Sequence, residues 1–130
     1  GIEVINLFQL SDINIELINS SINETNLLLL LDLDDRSFSV SSEILGALAI
    51  KNSLSCLKKP PRRLSNHGIY SPSSPRLSAD YYLKGTEIAN AACDLLDLDC
   101  SAREELLHKV ATVEKSVPLD VPNHSFSGPF

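Results

Sequence analysis

Every one of the seven prolines lies at or beyond residue 60. Proline interrupts helices and sheet interiors because it lacks an N–H and its ring collides with the preceding turn. Its placement therefore divides the chain. Residues 1–59 are free to form continuous secondary structure. Pro60, Pro61, Pro72 and Pro75, mixed with Ser, Asn and Gly68, predict a long loop or linker over 60–77. Pro118, Pro122 and Pro129, with Gly128, predict a second irregular stretch, a tail over 118–130. The organisation expected is an N-terminal helical segment (1–59), a basic Pro/Ser-rich linker (60–77), a helical hairpin (78–117) and a flexible tail (118–130).

Two helices should flank the linker. Ser41 or Ser42 can cap one that carries Glu43 in its first turn, where the positive end of the helix dipole favours an acid. Ile44, Leu45, Leu48 and Ala49 give it an apolar face, and Lys58–Lys59 close it before Pro60. Beyond the linker, Ser78 can cap a second helix with Leu83, Ile88, Ala91, Ala92, Leu95 and Leu96 near helical spacing; Gly85 lies inside and weakens it by about 1 kcal/mol. Ser101-Ala-Arg-Glu104 then reads as a capping box, in which serine and glutamate side chains satisfy each other's backbone N–H groups. Leu106, Leu107, Val110 and Val113 follow at core-facing spacing. So short a break between these last two helices predicts an antiparallel hairpin.

The first forty residues carry competing periods. Ile15, Ile18 and Ile22 have helical spacing, whereas Ile13, Ile15 and Leu17 alternate as in a strand. The reading favours a helix over 11–23. The Leu27–Leu31 run and its extension to Leu33 fit a buried strand and a buried helical turn equally. The fold class expected is mainly α: a small helical domain with a C-terminal antiparallel hairpin, a long Pro/Ser/basic loop and an irregular tail.

Charge is segregated. Residues 1–50 hold eight acids against one base, residues 51–78 six bases and no acid, and residues 79–130 nine acids against four bases. The overall charge is −6. This acid–base–acid layout argues against nucleic-acid binding, which calls for a basic folded face. The longest apolar run, Leu27–Leu31, falls far short of the roughly 20 residues of a membrane span. An odd number of cysteines (Cys56, Cys93 and Cys100) and no basic-then-apolar leader point to an intracellular site, cytoplasmic or nuclear.

Several motifs bear on function. Leu28-Leu-Leu-Leu-Asp32-Leu-Asp34-Asp35 resembles the first motif of the haloacid-dehalogenase phosphotransferases, an apolar strand followed by Asp-x-Asp. The resemblance implies Asp32 as nucleophile and Asp34 as general acid/base, with Mg²⁺ between protein and phosphate. It spans about eight residues, and Arg36 stands where that family usually has Thr or Val. Leu-Leu-Asp-Leu-Asp occurs at 30–34 and again at 95–99. It resembles the clathrin box of endocytic adaptors, an exposed extended peptide.

The central basic segment carries Lys58, Lys59, Arg62 and Arg63, and resembles a nuclear-import signal. Arg62-Arg63-Leu64-Ser65 is similar to basophilic kinase substrates, and Ser71-Pro72 and Ser74-Pro75 to proline-directed sites. Each phosphate would add about −1.5 to −2 charges. No paired Cys-x-x-Cys or Gly-rich phosphate loop occurs, so neither a metal nor a cofactor is expected. The function expected is non-catalytic, namely a protein–protein interaction module or small subunit that forms an oligomer or hetero-complex. Leu27, Leu28, Leu30 and Leu31 are its candidate partner-binding residues, with regulation through the linker serines. A phosphotransferase-like fragment and a clathrin-type adaptor segment are the alternatives.

Overall fold

The computed structural model describes residues 2–33, 37–66, 70, 72–74 and 81–116. It is mainly helical, with four α-helices and one two-stranded sheet among the described residues. The chain divides into two compact units, Gly1–Asn66 and His67–Phe130.

In the first unit the helical period of the isoleucines prevails. Helix α1 spans Ile15–Thr25 and buries Ile18 and Ile22. Two of the asparagines that weaken its interior propensity act at its ends. The Asn14 side chain accepts from the Leu17 N–H at 3.0 Å. Asn26, with φ 56°, closes the helix in the left-handed conformation that asparagine tolerates better than most residues.

The leucine run resolves as a strand. β1 (Leu29–Leu31) pairs in parallel with β2 (Arg62–Leu64), in the register Leu29↔Arg62, Leu30↔Arg63, Leu31↔Leu64. The Arg62 N–H donates to the Leu28 carbonyl at 3.0 Å and the Asp32 N–H to the Leu64 carbonyl at 2.9 Å. A strand thus lies inside the segment expected to be connector. Pro60 and Pro61 stand just before it, where the first residues of an edge strand need not donate.

Parallel strands require a crossover, and here helix α2 (Val40–Ile50) provides it. Ser39, rather than Ser41 or Ser42, occupies the N-cap position, and Ser41 is buried inside the helix. The helix also stops well short of Lys58–Lys59. Asn52 adopts φ 57° and turns the chain into a short 3-10 turn, Ser53–Cys56. The core gathers Ile18, Ile22, Leu30, Ile44 and Leu48 from α1, β1 and α2.

The second unit contains α3 (Gly85–Leu96) and α4 (Cys100–Ser116). Gly85 is the first residue of α3 rather than an interior one, so its propensity cost largely disappears. Leu83 lies outside the helix, and Ser78 lies outside the described residues. The Glu87 carboxylate accepts from the Lys84 N–H at 2.8 Å and so caps the helix start. Asp97, with φ 50°, ends α3.

The capping box at Ser101–Glu104 is replaced by an aspartate two residues earlier. The Asp99 carboxylate accepts from the Ala102 N–H at 2.8 Å and its carbonyl from the Arg103 N–H at 3.0 Å. The start of α3 meets the end of α4, where the Thr86 N–H donates to Glu114 at 3.1 Å. Near the other ends, Arg103 bonds Asn90 at 2.9 Å and Asp94 at 2.7 Å. A Cβ on Gly85 would come within 3.0 Å of the Glu114 carboxylate, so the absent side chain permits this close approach. Leu96, Leu106 and Val113, expected at core-facing positions, are exposed.

Candidate functional site

The most organised polar group lies where β1 and β2 end. Strand residues alternate between faces. Leu30 therefore points into the core while Leu31 points outward, and Asp32 returns to the inner side. Its carboxylate is only 8% exposed. A buried carboxylate needs hydrogen-bond partners to offset its lost hydration. The Ser39 hydroxyl, at the start of α2, donates to Asp32 Oδ2 at 2.8 Å. Arg63, from β2, places Nε 3.7 Å from the same oxygen and donates from Nη1 to the Ser42 hydroxyl at 2.8 Å. Asp32, just past β1, and Arg63 of β2 are thus both tied to the start of α2. The negative charge of Asp32 sits at the positive end of that helix, a favourable placement.

Extending the strand register by one residue sets Ser65 beside Asp32. Ser65 is 4% exposed and its hydroxyl has no hydrogen-bond partner among the described residues. Asn66, equally enclosed, donates from its side chain to the Leu33 carbonyl. Crevices beyond the carboxyl ends of parallel strands are the usual ligand position in open α/β sheets. Asp34 lies outside the described residues, so the Asp32–Asp34 pair implied by the phosphotransferase resemblance has one placed member.

Leu31 and Leu33 on either side of Asp32, and Phe38 just before Ser39, are apolar and exposed. Leu31 is 50% exposed, and Leu33 and Phe38 are more exposed still. Phe38 adopts φ 57°, a left-handed conformation that is a true outlier for a bulky residue. Of the four leucines expected to bind a partner, Leu31 faces outward, Leu30 is in the core, and Leu27 and Leu28 are half-buried.

The candidate regulatory residues separate. Ser65 is enclosed at the end of β2, Ser74 is exposed, and Ser71 lies outside the described residues. Lys58 and Arg62 are exposed, Lys59 is half-buried, and Arg63 is committed to Asp32 and Ser42. Leu30 and Asp32 of the first Leu-Leu-Asp-Leu-Asp copy are buried. In the second copy Leu95 is buried within α3, Asp97 ends that helix and Asp99 caps the next, so it is not an extended peptide.

Sequence reasoning overlooked Ser39 and Arg63 as partners of Asp32 and Ser42 as the partner of Arg63, and overlooked Phe38. The seven-residue gap from Asp32 to Ser39 has no helical or strand period, and only the β1–β2 register brings Arg63 in. Among the described residues there is no group of three or more His, Cys, Asp or Glu able to hold a metal ion. Cys56, Cys93 and Cys100 are free thiols. No described helix is long and apolar enough to cross a membrane. Comparison with family models, curated proteins and solved structures finds no match to this chain.

Proposed function

We propose that this chain is a non-catalytic protein–protein interaction module or small subunit of an intracellular assembly, and that its docking surface is the apolar end of β1. One observation carries the reading: Leu31 and Leu33 flank the buried Asp32, Phe38 directly precedes its partner Ser39, and all three are exposed, with Phe38 in an unfavourable backbone conformation. Left-handed backbone costs a non-glycine residue roughly 1–3 kcal/mol when surrounding structure enforces it, and such strain concentrates at functional positions. A phenylalanine that gains no burial in return is accounted for if a partner covers it. In this reading the latch of Asp32, Ser39, Arg63 and Ser42 is a positioning device that fixes where Phe38 projects. The second unit, taken as an antiparallel hairpin, is a separate folded element. Regulation by phosphate falls to the exposed Ser74 more readily than to Ser65, whose enclosure keeps it from a kinase unless β2 opens.

The test is site-specific photo-crosslinking in the cells that make the protein, with a photoreactive phenylalanine analogue at position 38 and, as control, at Val113 on α4. Discrete adducts at position 38 that Leu31→Lys abolishes support the reading. The same adduct pattern at both positions refutes it.

The position of Asp32 at the carboxyl end of a parallel strand, beside Ser65, favours one second reading, phosphotransfer. In that case Mg²⁺-dependent hydrolysis of an aryl phosphate is present in the parent and lost in Asp32→Asn. Absence of turnover in the parent removes it.

A further inference from the structure

We infer that the partner which covers β1 is a second copy of this chain, paired antiparallel along the outer edge of that strand; this rests on the docking surface proposed above. The backbone pattern fixes which groups are available. In a parallel ladder each residue directs its N–H and C=O to one side, and successive residues alternate. The bonds from Arg62 N–H to Leu28 and from Asp32 N–H to Leu64 show that Leu28, Leu30 and Asp32 use the side facing β2. Leu29 and Leu31 therefore present their N–H and C=O groups outward. None of these has a hydrogen-bond partner among the described residues.

The two edges of the sheet differ in a way that selects the occupant. β2 carries the defences that natural edge strands use against association: Lys58, Lys59, Pro60 and Pro61 just before it, and the exposed Arg62 within it. A second β2 would meet like charge. β1 has none of these defences. It lies in five consecutive leucines, with no proline and no charge from Leu27 to Leu31. Such a segment is complementary to itself.

Register follows from the same pattern. An antiparallel pairing centred on Leu30 sets Leu29 of one copy opposite Leu31 of the other. These are hydrogen-bonded positions, where facing residues exchange both N–H···O bonds. Both outward N–H groups and both outward carbonyls of each copy are satisfied, and the Leu29 and Leu31 side chains of the two copies meet on the outer face. Charge decides the direction. Antiparallel pairing sets each Asp32 opposite a Leu28, toward the end where the Asn26 carbonyl anchors the Lys58 backbone at 2.9 Å. Parallel pairing would instead set Asp32 against Asp32. The product is a four-stranded sheet, β2–β1–β1–β2, with its defended strands outermost.

The experiment is size-exclusion chromatography with light scattering on the full chain across the micromolar range. The parent should reach a mass twice 14.2 kDa. Leu31→Lys, which places a charge opposite Leu29 of the second copy, should weaken association by more than about tenfold. Val113→Lys, on exposed α4, should leave it unchanged. Far-UV circular dichroism verifies that the variants fold. Should Leu31→Lys not fold, amide hydrogen exchange on the parent decides: the Leu29 and Leu31 amides must gain protection as concentration rises.

A monomeric parent overturns the inference, as does a dimer that survives both Leu31→Lys and Leu29→Lys, or one whose Leu29 and Leu31 amides stay unprotected. The crosslinks at position 38 separate the two proposals. Adducts only to a protein of different mass, with a monomeric parent, keep the docking surface and reject self-pairing.

Discussion

Removal of the Asp32 carboxylate tests the latch directly. In Asp32→Ala the Ser39 hydroxyl loses its acceptor and Arg63 loses the charge 3.7 Å from its Nε. A hydrogen bond to a charged group contributes about 1.5–3 kcal/mol, and stranding a buried hydroxyl carries a cost in the same range. Two effects reduce the sum. Arg63 keeps its bond to Ser42 and has some access to solvent, and the variant no longer buries a carboxylate. We expect a net loss of about 2 kcal/mol for Asp32→Ala and about half that for Asp32→Asn, which retains an acceptor for Ser39.

For a unit of this size, 2 kcal/mol lowers the midpoint of thermal unfolding by roughly 8–16 °C. Urea unfolding followed by amide exchange on α1 and α2 reads the first unit separately from the second. A double-mutant cycle with Ser39→Ala should return a coupling of about 1 kcal/mol. Neutral or stabilising effects of Asp32→Ala would refute the reasoning. They would show a carboxylate held at a stability cost, as at sites kept for chemistry, and would shift weight to phosphotransfer.

Other consequences are simpler to check. Phe38→Gly should stabilise the chain by about 1 kcal/mol in urea unfolding, since glycine adopts positive φ without penalty and the side chain contributes little packing; a loss of stability would show that Phe38 packs intramolecularly. Asp99→Ala should cost about 1 kcal/mol as the loss of a helix N-cap, with Ser101→Ala close to neutral; the reverse ranking would restore the Ser101 capping box. The hydrogen bond and charge of Lys109 hold the Glu105 carboxyl below its ordinary value. Its stabilising contribution is thus present above the ordinary glutamate range and fades as pH falls through the lowered value. Lys109→Met should return the NMR titration midpoint of Glu105 toward the ordinary value, and an unchanged midpoint would contradict the pairing.

The parts of the fold visible from sequence are those decided locally. Ile15, Ile18 and Ile22 define α1 through their spacing; Asn14 and Asn26 bracket it, while Asn19 and Asn23 are carried inside it. What sequence leaves open at Leu27–Leu31 is decided at a distance. Its strand character depends on pairing with Arg62–Leu64, thirty-three residues along the register, in a stretch whose prolines and cations signal a linker. Propensity describes a residue's own backbone, whereas strand identity belongs to the pair. The helix ends illustrate the same limit on a smaller scale. Ser41, Ser101 and Lys58 each satisfy a boundary rule, but Ser39, Asp99 and Lys51 occupy the boundaries, where Ser39 meets Asp32, Asp99 meets Ala102 and Lys51 meets Glu16. The candidate site is the least legible part, since Asp32, Ser39, Ser42 and Arg63 come together only through the parallel register.

That register also sets a timetable for synthesis. The leucines of β1 emerge from the ribosome ahead of their pairing partner, and roughly 30 more residues must be added before Arg62–Leu64 emerges in turn. At about 5–20 residues per second, this sticky segment waits on the order of 2–6 s without its neighbour. Cells that make this protein must shield a nascent leucine tract for that interval, and crowded translation on one messenger would bring such tracts from adjacent chains together.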